Sequence, residues 1–149
     1  MTDISTFADL SARDHGLCVL NTLRGDGSIQ SSVVNAGVMP HPETGEPVVA
    51  LVAIGSTRKL RNLRADPRTS VVAHAGWQWL TVEGTAEVIG PDDTDAETLR
   101  VLLRNVFTAA GGTHDDWDTY DRVMREECRA AVLITPTRAY SNPARWARE

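Results

Sequence analysis

The sequence predicts a mainly β fold, an antiparallel β-barrel with peripheral helices. Short strand-like runs follow one another, and tight-turn sequences join several of them. Helices are expected at the start, in a short basic segment and before the last strand, without the regular strand–helix alternation of a parallel sheet. This order is typical of an antiparallel barrel. With 149 residues, 42% of them hydrophobic, the chain is expected to form a single domain over residues 1–149.

The first part of the chain is predicted to contain one short helix and three strands. STFADLSARD opens the helix, with Ser5 or Thr6 as its cap. The dipeptide Asp26-Gly27 predicts a hairpin turn between the first two strands, and HPETGEP at 41–47 predicts a loop before the third. The three strands are expected over residues 16–24, 29–40 and 48–54.

The second part begins with two more strands, after which the spacing of the apolar residues changes from that of a strand to that of a helix. Residues 93–110 carry apolar side chains at i, i+3, i+4 and i+7, which indicates a helix, and Gly111-Gly112 is expected to end it. A second helix is predicted over 114–128. The strands of this half are expected over residues 69–76, 77–90 and 130–140.

Composition restricts the functional class. The net charge of −5 argues against a protein that binds nucleic acid or an anionic membrane. No signal peptide and no apolar run of about 18 residues is visible, which predicts a cytoplasmic protein without membrane spans. Cys18 and Cys128 lack CxxC spacing and are expected to be free thiols. GDGSIQ lacks the third glycine of a dinucleotide-binding fingerprint and precedes a strand, so a Rossmann site is not expected.

One segment reverses the acidic character of the chain. GSTRKLRNLRADPR, at positions 55–68, contains five basic residues and a single acid, Asp66. A local reversal of charge in an acidic protein indicates an anion-binding site. The five basic residues are Arg58, Lys59, Arg61, Arg64 and Arg68.

This basic run is predicted to form a short helix that begins with cations. Arg58 and Lys59 occupy its first turn, where each opposes the helix dipole by about 0.3–1 kcal/mol. Together with the exposed N–H groups and the hydroxyls of Ser56 and Thr57, they are expected to hold a phosphate-like anion. The alternative is a solvated basic face whose charges pair with acids elsewhere, such as Glu83 or Glu87.

These features resemble a known superfamily. A hairpin containing DGS, an apolar strand, GSTRKLRNLRADPR and a further apolar strand are similar to the split β-barrel flavin and deazaflavin oxidoreductases, which include the pyridoxamine phosphate oxidases. The pattern T-R-K-x-R-N-L-R-x-D-P-R is similar in particular to the group that uses the deazaflavin coenzyme F-420. The resemblance covers roughly residues 10–90. The ending ARWARE departs from the arginine-bearing ending of true pyridoxamine phosphate oxidases, which argues against that activity.

The resemblance implies a homodimer with cofactor sites at the subunit interface. It places the cofactor phosphate on Ser56, Thr57, Arg58 and Lys59, with Arg61 nearby. The tricyclic ring would be lined by strand residues, namely Gln30, Ser32, Val33 and residues 52–54, which include Ala53 and Ile54. Tyr140 and Asn142 would reach the partner subunit's site.

Three further candidates come from the residues themselves. Trp77 and Trp79 are expected to share one face of a strand, where one could border the ring or the substrate; dimer or core packing is the alternative. His74 could donate a proton, although a structural role is favoured. The run that begins at His114 hints at a metal, but it lies where a helix cap is needed, so no metal is expected.

No nucleophile–histidine pair and no carboxylate pair with assigned roles emerges, so the catalytic residues stay unknown. That pattern is typical of a redox protein whose cofactor performs the chemistry. By resemblance, the protein would be an F-420H2-dependent reductase that transfers hydride to an activated C=C or similar bond of a small molecule. The alternatives are an FMN-dependent oxidase or reductase on the same fold, and a non-catalytic protein that binds F-420, flavin or haem.

Overall fold

The structure, a computed structural model, describes residues 4–142. In chain order its elements are α1 (Ile4–Arg13), β1 (Leu17–Leu23), β2 (Ile29–Pro40), β3 (Pro47–Ala53), α2 (Arg58–Ala65), β4 (Arg68–Ala75), β5 (Gln78–Ile89), α3 (Ala96–Ala109), α4 (Trp117–Glu126) and β6 (Ala130–Ser141).

The six strands form one closed antiparallel barrel in the order β1-β2-β3-β6-β5-β4. This confirms the predicted barrel with peripheral helices. The final strand, β6, lies between β3 and β5, with Val49 opposite Ile134 and Ala86 opposite Ile134 on its other side. The predicted hairpin between β1 and β2 is also confirmed: Gly27 has φ +85°, a conformation that glycine adopts without steric cost.

Apolar side chains on one face of each strand fill the barrel, as period-two alternation requires. Leu20, Leu51 and Val82 are among the fully buried residues of this interior. Two helices close its ends. Helix α1 packs Phe7 at the end where β5 begins, and α2 packs Leu60 at the opposite end.

Helices α3 and α4 cover the outer surface of β3 and β6. Leu102 and Tyr120 pack there against outward-facing residues such as Leu133. The buried carboxylate of Asp121 joins the two helices through the guanidinium of Arg104, 2.6 Å away. No helix within residues 4–142 is long and apolar enough to cross a membrane.

Candidate functional site

The basic helix α2 starts where the chain turns sharply out of β3. The backbone N–H of Gly55 donates to the carbonyl oxygen of Glu127 over 3.2 Å. A Cβ at Gly55 would lie 2.4 Å from the carbonyl oxygen of Cys128, closer than packed atoms approach. Glycine at this position therefore lets the chain pass under the α4–β6 connection and begin α2 at Arg58.

The N-terminus of α2 has no side-chain cap. Thr57 is the N-cap residue, but its hydroxyl donates to the carbonyl oxygen of Ile54 over 2.9 Å and accepts nothing from the first turn. Ser56 is exposed beside it. As in every α-helix, the N–H groups of the first turn have no acceptor within the helix. They are therefore free to bind an anion, as helix N-termini do.

The five cations of the basic run fall into two groups. Arg64 forms an ion pair with Asp93 at 2.8 Å, and Arg68 forms one with Asp66 at 2.8 Å. The hydrogen bond from Arg64 holds the pKa of Asp93 below its usual value, so this pair stays ionised near neutral pH. The cations without an ion-pair partner among residues 4–142 are Arg58, Lys59 and Arg61.

The acids considered as alternative partners for these cations are engaged elsewhere. Glu83 pairs with Arg138 at 2.6 Å, and Glu87 contacts the imidazole of His41 at 2.9 Å. Glu83 and Glu87 therefore do not pair with the basic helix, but the alternative of pairing with acids elsewhere holds for Arg64, which pairs with Asp93. Three positive charges converge at the uncapped end of α2 without compensation from the described part of the chain.

A buried hydrogen-bond relay connects α2 to β1 and β2. Nδ2 of Asn62 donates to Oγ1 of Thr22 over 3.0 Å, and the Thr22 hydroxyl donates to Oε1 of Gln30 over 3.1 Å. Because Thr22 has a single hydroxyl proton, the relay runs in one direction. It leaves the amide nitrogen of Gln30 without a hydrogen-bond partner among residues 4–142. Asn62 was not recognised as important in the sequence, although it stands between two inward-facing leucines.

The predicted ring-lining residues do not share one face. Gln30 and Ser32 alternate with Val33 along β2, and Val33 points outward with 67% of its surface exposed. Ser32 is partly buried, and its Oγ has no hydrogen-bond partner in the described chain. Ala53 faces the barrel core, whereas Ile54 is exposed just before the α2 turn.

Trp77 lies in the turn at the other end of the strands from α2, and Tyr140 lies opposite Thr81 of β5. Trp77 is in the β4–β5 turn and is 85% exposed. The prediction that it shares a strand face with Trp79 is therefore wrong. The Tyr140 hydroxyl donates to Glu83 over 2.8 Å, and this bond raises the pKa of Tyr140. Asn142 fastens the turn, since its Nδ2 donates to the carbonyl oxygen of Trp77 over 3.0 Å.

Trp77 is far from α2 within one subunit. Strand β4 runs eight residues from Arg68, directly after α2, to Ala75, directly before the turn that carries Trp77. At about 3.3 Å per residue, its ends are separated by roughly 23 Å. One subunit therefore presents the α2 end and the Trp77 end as separate surfaces.

The outer face of β1 and β2 carries an exposed apolar surface. Ile29 and Val33 are 65% and 67% exposed, and Leu17 is 40% exposed. Asn21 lies beside them, and its side chain hydrogen-bonds Ser31 at 2.7 Å. Residues of this kind at the surface often mark an interface.

The remaining candidates have local roles. Asp116 caps α4 by accepting from the N–H of Thr119, and Nδ1 of His114 accepts from the N–H of Asp116, which supports the capping interpretation of that segment. Between residues 4 and 142, no group of three His, Cys, Asp or Glu side chains is placed to hold a metal ion. His74 is exposed on β4. Both cysteines are free, with Cys18 buried and Cys128 exposed.

A closed six-stranded antiparallel barrel with peripheral helices and a basic turn after the third strand is the FMN-binding split barrel. The chain belongs to the pyridoxamine 5′-phosphate oxidase family, whose sequence model matches residues 8–142. Members of this family are largely oxidoreductases with a flavin-binding fold.

Three solved structures illustrate the likeness. A conserved hypothetical protein of Mycobacterium tuberculosis has TM-score 0.69 and 21% identity over 100% of this chain and 89% of its own. A protein named F420 reductase has TM-score 0.58 and 17% identity over 83% and 88% of the two chains. An FMN-binding protein of Nostoc punctiforme, related to pyridoxamine 5′-phosphate oxidase, has TM-score 0.63 and 12% identity over 95% and 84%. At these identities the likeness shows the fold.

Proposed function

We propose that this protein is a homodimeric reductase that uses the reduced deazaflavin coenzyme F-420 to reduce an activated C=C or similar bond of a small molecule. The observation that carries the proposal is the uncapped N-terminus of α2 with its three unpaired cations. The similarity to an F420 reductase supports the same cofactor.

The residues at this end of α2 fit a phosphate. Ser56 and Thr57 offer hydroxyls, the first-turn N–H groups point out of the helix, and Arg58 and Lys59 add charge. Charge-assisted hydrogen bonds of this kind are about twice as strong as neutral ones. Arg61 follows Arg58 by three positions and so lies on the same helical face. In this proposal it binds the first carboxylates of the acidic F-420 tail.

The tricyclic ring is assigned to the edge of the barrel beside α2. The relay through Thr22 fixes the Gln30 amide with its nitrogen unpartnered, so that Gln30 can donate to a carbonyl of the ring. Ser32 lies on the same side of β2, with its hydroxyl buried and without a partner in the described chain. Ile54 is exposed at the mouth of this edge and offers an apolar contact.

Dimerisation completes the site. Trp77 lies at the opposite end of β4 from α2, roughly 23 Å away by strand rise, so it can contact the same cofactor only from a second subunit. Tyr140 is assigned to the same shared site on the resemblance. The exposed apolar surface of Ile29 and Val33 provides a contact for that second copy. An antiparallel arrangement of two barrels across this surface brings the α2 end of one against the Trp77 end of the other.

When held by Ser56, Thr57, Arg58 and Lys59, F-420H2 would provide hydride chemistry toward an electron-poor carbon of the substrate. The protein holds the substrate within near-attack distance, about 3–3.5 Å, and excludes competing geometries. Tyr140 is held as a donor to Glu83, so we assign the accompanying proton to solvent.

An FMN-dependent oxidase or reductase is the second candidate, because an FMN-binding protein shares the fold. The phosphate of FMN would occupy the same end of α2 but has no acidic tail for Arg61. Titration of the purified protein with F-420 and FMN, each followed by fluorescence, distinguishes the two. Tighter binding of F-420 at low salt, with a steeper loss on adding salt, is expected because the tail contacts are exposed and screened.

Tighter binding of FMN would overturn the cofactor assignment while leaving the fold intact. Turnover is tested separately, with F-420H2 and a panel of activated enones and quinones, by the return of F-420 absorbance. Tight F-420 binding without turnover of any of them would favour the cofactor-binding protein over the reductase. A haem Soret band in the isolated protein would point to the haem-binding alternative.

A further inference from the structure

A cavity lies between α3 and α4. Its volume is about 510 Å³, within the range of roughly 300–1,000 Å³ that is usual for small-molecule sites. Leu99, Leu103 and Met124 form its apolar floor. None of the residues assigned to the cofactor lines this cavity.

The charged residues along the cavity wall largely neutralise one another. Arg100 pairs with Glu97 and with Asp121, and Asp121 pairs with Arg104 outside the cavity. The side chain of Asp121 is only 8% exposed, and its hydrogen bonds from Arg104 hold its pKa below the usual value. This network of two acids and two bases has no net charge to offer a ligand.

One charge at the cavity remains. Arg125, in the last turn of α4, lines the cavity and is exposed. It has no ion-pair partner among residues 4–142. The matching arginine one turn earlier, Arg122, pairs with Glu126 and does not line the cavity. An apolar floor with one uncompensated cation at its edge is complementary to an apolar molecule that carries one negative charge.

We propose that the cavity between α3 and α4 binds a small amphipathic monoanion, an apolar body with a single carboxylate or sulfonate that pairs with Arg125. The apolar body lies on Leu99, Leu103 and Met124. The cavity shares no residue with those proposed to contact the cofactor, and it comes close to them at Cys128, which packs against Gly55 at the start of the α2 turn.

Cys128 provides a local reporter. It lines the cavity and is exposed, whereas Cys18 is buried, so a thiol reagent applied to the native protein modifies Cys128 selectively. The probe is 8-anilinonaphthalene-1-sulfonate, an apolar ring system with one sulfonate. Its neutral counterpart without the sulfonate, N-phenyl-1-naphthylamine, is the matched ligand control. Probe binding is followed by fluorescence, and alkylation of Cys128 by N-ethylmaleimide is followed by mass spectrometry.

Saturating sulfonate probe is expected to slow Cys128 alkylation by about fivefold or more, since the ligand covers the thiol. Arg125→Glu should weaken probe binding by about tenfold, the effect of losing one charge-assisted contact. Arg125→Gln, which removes the charge without reversing it, should weaken binding by a smaller factor. Arg122→Glu, on the same helix, should leave the affinity within about twofold.

Three results would overturn the proposal. The first is unchanged Cys128 alkylation at saturating probe, which would place the fluorescent site elsewhere, for example on the exposed surface of β2. The second is equal affinity in the Arg125 and Arg122 variants. The third is binding of the neutral counterpart as tightly as the sulfonate. The proposed function has its own test, the titration with F-420 and FMN, which requires neither the sulfonate probe nor modification of Cys128.

Discussion

Asn62 of α2 and Thr22 of β1 are joined by a buried hydrogen bond of 3.0 Å across the end of the barrel. Asn62 is 5% exposed and Thr22 is 1% exposed. The bond fixes the rotation of α2 about its own axis, because Asn62 sits next to the inward-facing Leu63 while the cations lie on the outer side. The same hydroxyl orients Gln30. The position of the basic helix and the orientation of a proposed ring contact therefore depend on a single threonine.

Replacing that threonine with its isostere tests both roles together. Thr22→Val keeps the shape but leaves Asn62 and Gln30 without their partner, and an unsatisfied buried group costs about 1–3 kcal/mol. We expect a loss of that order in urea unfolding, together with weaker F-420 binding. Thr137→Val removes an exposed hydroxyl that donates to the carbonyl oxygen of Glu83, and it should cost less than about 0.5 kcal/mol. Equal stability of the two variants would show that the relay does not position α2.

Lys59 tests the phosphate site directly. Lys59→Glu places a negative charge at the uncapped end of α2, and we expect F-420 affinity to fall about a hundredfold, because a charged hydrogen bond is lost and a repulsion is added. Arg68→Glu is the matched control within the same basic run, since Arg68 already pairs with Asp66, and it should change affinity by less than about threefold. Isothermal titration with both folded variants provides the comparison. Similar losses in both would mean that only the overall charge of the segment matters.

The ion pair of Arg64 with Asp93 limits what Arg64 can contribute to the acidic tail. Arg64→Ala should weaken long-tailed F-420 by only about two- to threefold, as expected for an exposed contact, and should not affect FMN. Asp93→Asn releases Arg64 and should tighten binding of long-tailed forms by a similar factor. Asp92→Asn, at the adjacent position without this pair, is the control. Identical affinities for long and short tails in all variants would place the tail away from Arg64.

Val33 tests the proposed subunit contact. Val33→Asp introduces a charge on the outer face of β2, and we expect a dimer in the wild type to become a monomer at micromolar concentration in the variant. Cofactor binding should be lost with it, because Trp77 and Tyr140 are proposed to come from the second subunit. Val101→Asp alters another exposed valine, 43% exposed on α3, and should remain dimeric. Light scattering on a size-exclusion column measures the mass of each variant in solution. A wild-type monomer that binds F-420 fully would contradict the shared site.

The Asp121 network gives the fold a pH dependence. Hydrogen bonds from Arg104 lower the folded-state pKa of Asp121 below the unfolded value of about 3.9. The stabilisation is therefore complete above that pH and is lost as the pH falls through the folded-state pKa. Asp121→Asn should lower the melting temperature by roughly 5–10 °C at pH 6, and the gap to the wild type should narrow between pH 4 and pH 2.

The exposed Asp115 supplies the control for this measurement. Asp115→Asn should stay within about 2 °C of the wild type at every pH. A gap between Asp121→Asn and the wild type that stays constant down to pH 2 would show that the carboxylate contributes by packing and not by its charge.

The strands could be predicted because their signals are local. Alternating or apolar runs and turn residues such as Asp26-Gly27 placed β1 and β2 within one residue of their observed limits. The insertion of β6 between β3 and β5 was not predicted, because it depends on pairs such as Val49 with Ile134 that are distant in sequence. Gly76, with φ +60°, ends β4 and places Trp77 in a turn. A glycine directly before Trp77 is a local turn signal that could be read from the sequence.

In the candidate site, too, the features set by local sequence could be predicted and those set by distant contacts could not. The basic run was located from composition alone, and the resemblance supplied its proposed ligand. Which cations stay unpaired could not be predicted, since Asp93 reaches Arg64 only through the packing of the β5–α3 connection. Period-two alternation, by contrast, would have been enough to place Ser32 and Val33 on opposite faces of β2, although the resemblance grouped them together. Asn62 was missed because a polar residue in a basic helix gives no sign that the barrel end will bury it.

The place of β6 in the barrel has a consequence for how the protein is made. During synthesis, β1 to β5 leave the ribosome before the strand that joins β3 to β5 exists. Until the last part of β6 emerges, both β3 and β5 are open edges with apolar residues, and open edges of this kind favour pairing with other chains. The nascent barrel is therefore open to pairing with other chains for longer than a fold that is closed by an early strand.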